Sequence, residues 1–155
     1  MMFRKMLRIA ACLFIIFQSV SCISQSTNGF SIQGNWFPEY LGNINEAYTE
    51  FYIDDTNIYY FNPTSESISA NEYYITNSKL YFRNVNVDSD KLMGTFSIKK
   101  DTLIIVNEAG NSLFLKQKEL PNLEDLINDD TSFDIFFEGY VNREAIWNEN
   151  KHKPQ

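Results

Sequence analysis

Three stretches of this chain repeat one pattern of apolar and polar positions: Phe51-Tyr52-Ile53-Asp54-Asp55-Thr56-Asn57-Ile58-Tyr59-Tyr60, Tyr73-Tyr74-Ile75-Thr76-Asn77-Ser78-Lys79-Leu80-Tyr81-Phe82 and Phe96-Ser97-Ile98-Lys99-Lys100-Asp101-Thr102-Leu103-Ile104-Ile105. Each runs aromatic, any, Ile, four mostly polar residues, Ile or Leu, any, large apolar. Side chains along a strand alternate between faces, so this pattern predicts a β-hairpin. With turns centred at Asp55-Thr56, Asn77-Ser78 and Lys100-Asp101, Ile53 faces Ile58 and Phe51 faces Tyr60. Ile75 faces Leu80, Tyr73 faces Phe82, Ile98 faces Leu103 and Phe96 faces Ile105. All these positions share one apolar face, so a slip of one residue would turn that face to water. The other face is mixed and carries Tyr52, Tyr59, Tyr74 and Tyr81.

Two further strands flank the hairpins. Ser31 to Trp36 gives a first strand with Ile32, Gly34 and Trp36 on one side. A last strand near Ser112 to Gln117 follows Glu108-Ala109-Gly110, read as a three-residue turn with Gly left-handed. That turn puts Leu113 and Leu115 on the face of Leu103 and Ile105. Residues 38–48, 62–71 and 84–91 are rich in loop formers, so longer loops alternate with short turns. Eight strands in such a meander can close into an up-and-down antiparallel barrel, which removes exposed edges. The fold class is mainly β, with a barrel over 31–118.

After Lys118 the period becomes helical. Pro121 suits a first turn, and Leu123, Leu126 and Ile127 follow. Thr131 or Ser132 can cap a second helix whose stripe is Phe133, Phe136, Phe137, Tyr140, Val141 and Trp147. The outward tyrosines at 52, 59, 74 and 81 offer that stripe a seat, making 119–150 a helical extension packed outside the barrel; 151–155 reads as a frayed tail. Gly139 weakens the helix by ~1 kcal/mol relative to Ala.

The N-terminus changes the picture of where this barrel works. Arg4 and Lys5 precede a mostly apolar run over 7–17, and small Ser19 and Ser21 precede Cys22. The run is too short to span a bilayer, so 1–21 is expected to be a signal peptide. Ser19-Val20-Ser21-Cys22 resembles the lipobox of bacterial lipoproteins, with Ser19 where that motif prefers a large apolar residue. The resemblance implies lipidation of Cys22, an anchor at an envelope membrane and a tether over 22–30. Ordinary cleavage after Ser21 would use the same small residues and leave the protein periplasmic or secreted. Taking the leader's three cations from thirteen leaves ten basic against twenty acidic residues, a net of −10. That balance argues against nucleic-acid binding.

Gly34-x-Trp36 opening the first of eight meandering strands resembles the lipocalin-like domains of bacterial lipoproteins, over about 33–118. The resemblance implies that Trp36 packs across the closed end of the barrel against a basic residue of the last strand, Lys116 or Lys118. It also implies a small hydrophobic ligand inside, among Phe51, Tyr60, Tyr73, Phe82 and Phe96, entering by the longer loops. Inward residues this bulky can instead fill a small eight-stranded barrel by themselves. A filled or nearly filled interior is the expectation, and a cavity above about 300 Å³ would favour a ligand. Catalytic chemistry finds little support. The single His, His152, lies in the tail, and no Ser-His-Asp or Cys-His set can be built around it. Asn86, Asp88 and Asp90 alternate like a calcium loop, but Lys91 and Ser97 stand where its Gly and last acid belong, which favours a solvated turn. Neither an enzyme nor a cofactor is implied. The reading is an envelope lipoprotein binding a small hydrophobic molecule, with a surface module for an envelope protein partner or an incoming toxin as the alternative.

Overall fold

In the computed structural model, which describes residues 31–39, 47–83 and 89–151, the eight strands are β1 (Gly34–Pro38), β2 (Phe51–Ile53), β3 (Asn57–Asn62), β4 (Ser67–Thr76), β5 (Lys79–Phe82), β6 (Lys91–Lys99), β7 (Thr102–Asn107) and β8 (Gly110–Lys116). Each pairs antiparallel with its sequence neighbour, and β1 pairs with β8 to close the barrel in up-and-down order. The hairpin registers match the parity of the sequence. Ile53 lies opposite Ile58 and Phe51 opposite Tyr60. Ile75 meets Leu80, Tyr73 meets Phe82, Ile98 meets Leu103 and Phe96 meets Ile105.

Local chemistry explains the turns. The Asp54 carboxylate accepts from the backbone N–H groups of Thr56 at 2.7 Å and Asn57 at 2.6 Å, and from the Tyr59 hydroxyl at 2.9 Å. Burial works to raise that carboxyl's pKa, but these hydrogen bonds outweigh it and hold the group below the usual carboxylate range. Asn77 and Ser78 both take positive φ, 51° and 60°, as a two-residue hairpin turn requires.

Three expectations about the strands need correction. Residues 62–71 are not a long loop: β3 runs to Asn62, residues 63–66 turn, and β4 starts at Ser67. The inward positions there are Ser67, Ser69 and Asn71, opposite Asn62, Tyr60 and Ile58, so no apolar face announces the strand. The turn into β8 has two residues, with Asn107 opposite Gly110. That single residue reverses the parity expected for β8. Phe114 faces inward opposite Leu103, while Leu113 and Leu115 face out. In β6 the register jumps between Leu80 opposite Gly94 and Tyr81 opposite Leu92. A side chain on Gly94 would come 2.5 Å from the Val106 carbonyl oxygen, so only glycine fits where the bulge presses β6 onto β7.

Alternation sorts the apolar side chains into two cores. The inner one holds Trp36, Phe51, Ile53, Ile58, Leu80, Phe96, Leu103 and Ile105. The outer one lies under two helices, α1 (Leu123–Ile127) and α2 (Phe133–Lys151). It joins Phe136, Tyr140, Trp147 and Leu123 to Phe61 and Tyr48, with Phe37, Tyr52 and Tyr59 against them. The seat is therefore only partly the expected one. Tyr52 and Tyr59 belong to it, whereas Tyr74 and Tyr81 stack on each other at 5.0 Å outside this cluster. Phe61, outward on β3, meets Phe136 at 5.1 Å and Tyr140 at 5.0 Å. Val141 is 44% exposed and does not join the stripe. Asn122, not Pro121, starts α1, in a reciprocal capping box with Asp125. Ser132 receives the Phe136 N–H at the start of α2.

One ion pair fixes α2 against the barrel. Arg143 donates from Nε to Glu50 Oε1 at 2.6 Å and from Nη2 to Oε2 at 3.0 Å. The side chains are 11% and 1% exposed, and the Tyr48 hydroxyl also donates to Glu50. Burial, then Glu50's charge, pushes ionisation of the Tyr48 phenol far above its ordinary range, so it remains a donor. Gly139 serves this pair: a side chain there would come 2.9 Å from Arg143 Nη1. Removing one partner of a buried pair leaves the other charge stranded, at roughly 3–5 kcal/mol. Arg143→Met is expected to lower unfolding stability in urea by that amount, and Glu50→Gln combined with Arg143→Met to restore part of it. A loss below about 1 kcal/mol in the single variant would show that the pair does not hold the helix.

Candidate functional site

The short turns after β2, β4 and β6 lie at one end of the barrel, with the start of β1 and the end of β8. Near that end Trp36 is fully buried and sits opposite Lys116. Lys116 Nζ lies 5.7 Å from the centroid of the indole ring, and the Trp36 Nε1–H donates to the Ile32 carbonyl at 2.8 Å. Gly34 has φ +125°, and a side chain there would come 2.8 Å from Lys116 Cε. Gly34, Trp36 and Lys116 are thus brought together, with glycine making room for the lysine stem. Lys118 is instead exposed and bridges to Asp101 at 2.6 Å.

Above this floor, where a filled or nearly filled interior was expected, the barrel keeps open space towards its other end. A cavity of about 330 Å³ runs from Ile53, Ile58 and Leu80, past Phe51, Tyr60, Met93, Ile105 and Phe114, to Pro38, Glu39, Thr49, Asn107 and Ser112. The deep walls are apolar, and the polar groups gather towards the end where β1 leaves and β7 turns. Space remains where Ser112, small and inward on β8, stands opposite Ile105. Burial pushes the Tyr60 phenol up to about 12, so at neutral pH the wall carries a neutral hydroxyl rather than a charge.

Of the five residues expected around a ligand, Phe51 and Tyr60 line this cavity. Tyr73, Phe82 and Phe96 are not among its walls. Tyr73 donates to the Asp54 carbonyl at 2.8 Å, which draws its ring towards the short turns. Phe82 meets Tyr60 edge-on at 6.2 Å, and Phe96 is buried opposite Ile105. Met93, Phe114 and Ser112 were not foreseen. The bulge and the two-residue turn decide their orientation, and no apolar period records either feature.

A second polar cluster joins α1 to the barrel. Asn35 donates from Nδ2 to Glu124 Oε2 at 3.0 Å and accepts the Glu124 backbone N–H at 3.1 Å. The Tyr52 hydroxyl donates to Glu124 Oε1 at 3.2 Å. Burial, then Glu124's charge, pushes the Tyr52 phenol up to about 12. These groups satisfy one another, which suits a seam rather than a site. Among the described residues no three of His, Cys, Asp and Glu gather where they could hold a metal ion. Cys22, His152, Asn86 and Asp88 lie outside the described residues. Among the described residues no helix is long and apolar enough to cross a membrane.

The architecture is that of an eight-stranded antiparallel up-and-down closed barrel, compatible with a lipocalin-like fold. Comparison of the chain with models of known protein families, with characterised proteins and with solved structures returned no match.

Proposed function

We propose that this protein is an exported, lipid-anchored lipocalin-like barrel that binds a small hydrophobic ligand inside the barrel without transforming it. The observation that carries this reading is the cavity of about 330 Å³ with apolar depth and a polar rim. Its volume lies at the small end of ligand pockets, which span about 300–1,000 Å³. It suits a compact ring system or a short chain rather than a long-chain lipid. Polar groups at the rim favour a molecule whose apolar part enters first, leaving any polar atom near Thr49, Asn107 or Ser112. The Ser19-Val20-Ser21-Cys22 stretch supports the anchor, and a multi-chain acyl group would hold the barrel stably at a membrane surface. The alternative, a surface module for a protein partner, has weaker support. Ile135, Val141 and Ile146 are 56%, 44% and 59% exposed, but scattered apolar residues are ordinary on a surface.

The uncharged fluorophore N-phenyl-1-naphthylamine tests the pocket. The wild type is expected to bind it saturably at one site. Ser112→Trp, which fills the cavity from β8, is expected to bind about tenfold weaker or less while keeping its β-sheet circular dichroism. No saturable binding by the wild type, or equal affinity in a folded Ser112→Trp, would remove the interior as the site. For the anchor, cells labelled with radioactive palmitate are expected to label the wild type and not Cys22→Ala. An unlabelled wild type would end the lipoprotein reading while leaving the barrel's ligand untouched.

A further inference from the structure

We propose that the interior cavity is built for an uncharged apolar molecule carrying a carbonyl, ether or hydroxyl oxygen, and that the Tyr60 hydroxyl is the donor that recognises that oxygen. Such a role presupposes that the interior is the binding site, and it adds the chemical class of the occupant. Tyr60 lines the cavity. It stands on β3 opposite Phe51, the next inward residue after Thr49. Its ring packs inside the barrel, 5.7 Å from Phe51 and 6.2 Å from Phe82.

The hydroxyls of several other tyrosines are already bonded. Tyr48 donates to Glu50, Tyr52 to Glu124, Tyr59 to Asp54, and Tyr73, which also faces inward, to the Asp54 carbonyl. The Tyr60 hydroxyl has no hydrogen-bond partner among the described residues, and burial alone raises its pKa. Tyr140 lacks a partner too, but its hydroxyl is sealed within the outer core. The Tyr60 hydroxyl is not sealed and opens on the cavity. A phenol that keeps its proton and bonds no protein group is a donor in reserve, and an acceptor oxygen brought in by a guest would satisfy it.

The surroundings select against a charged guest. Glu39, exposed at the rim, is the one charged residue among the cavity's walls. Segments 39–50, 62–72, 84–90 and 106–114, which join the strands at this end, contain acids but no Lys, Arg or His. Of the two cations that border them, Arg83 lies over the outward Tyr74 ring at 5.8 Å, and Lys91 is exposed opposite Phe82. Neither is among the walls. A carboxylate inside would leave water with no cation to receive it, and an ammonium would do so with no acid at depth. A neutral oxygen needs only the one donor.

Three naphthalenes of nearly one shape test this. 2-Acetylnaphthalene carries the carbonyl, 2-ethylnaphthalene lacks it, and 2-naphthoate puts a negative charge in its place. Binding is read in nitrogen-15 correlation spectra from the backbone amides of Phe51, Ser112 and Phe114, on the cavity's walls. Tyr60→Phe is expected to weaken the ketone about fivefold, the effect of one hydrogen bond, and to leave the ethyl compound unchanged to within about twofold. The naphthoate is expected to bind the wild type about tenfold weaker than the ketone, or less tightly still. In the wild type the carbonyl stretch of bound, carbon-13-labelled ketone should lie below its position in an alkane solvent, a readout that does not depend on the variant's folding. Equal weakening of the ketone and the ethyl compound, a ketone unaffected by Tyr60→Phe, an alkane-like carbonyl stretch, or naphthoate bound as tightly as the ketone would each overturn the proposal while leaving the interior as a binding site. If none of the three compounds moves those amides, the interior reading itself falls, and the role of Tyr60 with it.

Discussion

The alternation of side chains around a closed ladder governs everything else in this molecule. With every strand paired on both sides in the closed order, no edge is left to template aggregation. The pleat then forces each successive residue to the opposite surface. An ordinary sheet would give one of those surfaces to water. Here the inner one is covered by the barrel itself, and α1 and α2 cover the outer one over β1, β2 and β3, while Ile68, Leu92 and Val106 stay exposed. The high aromatic content follows from this: one sheet must supply two separate cores.

The stretch leading into β2 shows how tightly the two are joined. Ala47, Thr49 and Phe51 line the interior cavity. Tyr48 and Glu50, between them, turn outward and hold Arg143 of α2. The same few residues are thus a wall of the barrel and the seat of the helix. A buried ion pair contributes less to stability than its geometry suggests, because both charges must leave water. Its value here is positional. It fixes one rotation of α2 on a seat that is otherwise aromatic and permissive.

Much of the barrel was legible from residues alone. Phe51, Ile53, Ile58 and Tyr60 share parity across a loop of fixed length, and that is sufficient to set a register. The misread parts were decided by a turn length, a ladder partner and a bulge, none of which an apolar period records. Leu113 and Phe114 exchange faces because the turn before them has two residues rather than three. Ser67, Ser69 and Asn71 form a strand because β3 offers a ladder, not because they carry an apolar period. Met93 turns inward because the chain bulges at Gly94, where a carbonyl of β7 comes too close for any side chain. The Glu50–Arg143 pair spans 93 positions, and no local pattern connects its members. The cavity was invisible for a related reason: it is what remains after the bulky residues are placed, and it depends on a small one, Ser112.

The central claim is that a barrel with so many large inward side chains still keeps room for a guest. Native mass spectrometry of the protein purified from its own host asks this most directly. The account predicts a one-to-one adduct with a small nonpolar compound that is displaced by excess N-phenyl-1-naphthylamine. Only the bare polypeptide mass, under settings at which the probe-loaded complex survives, would contradict it.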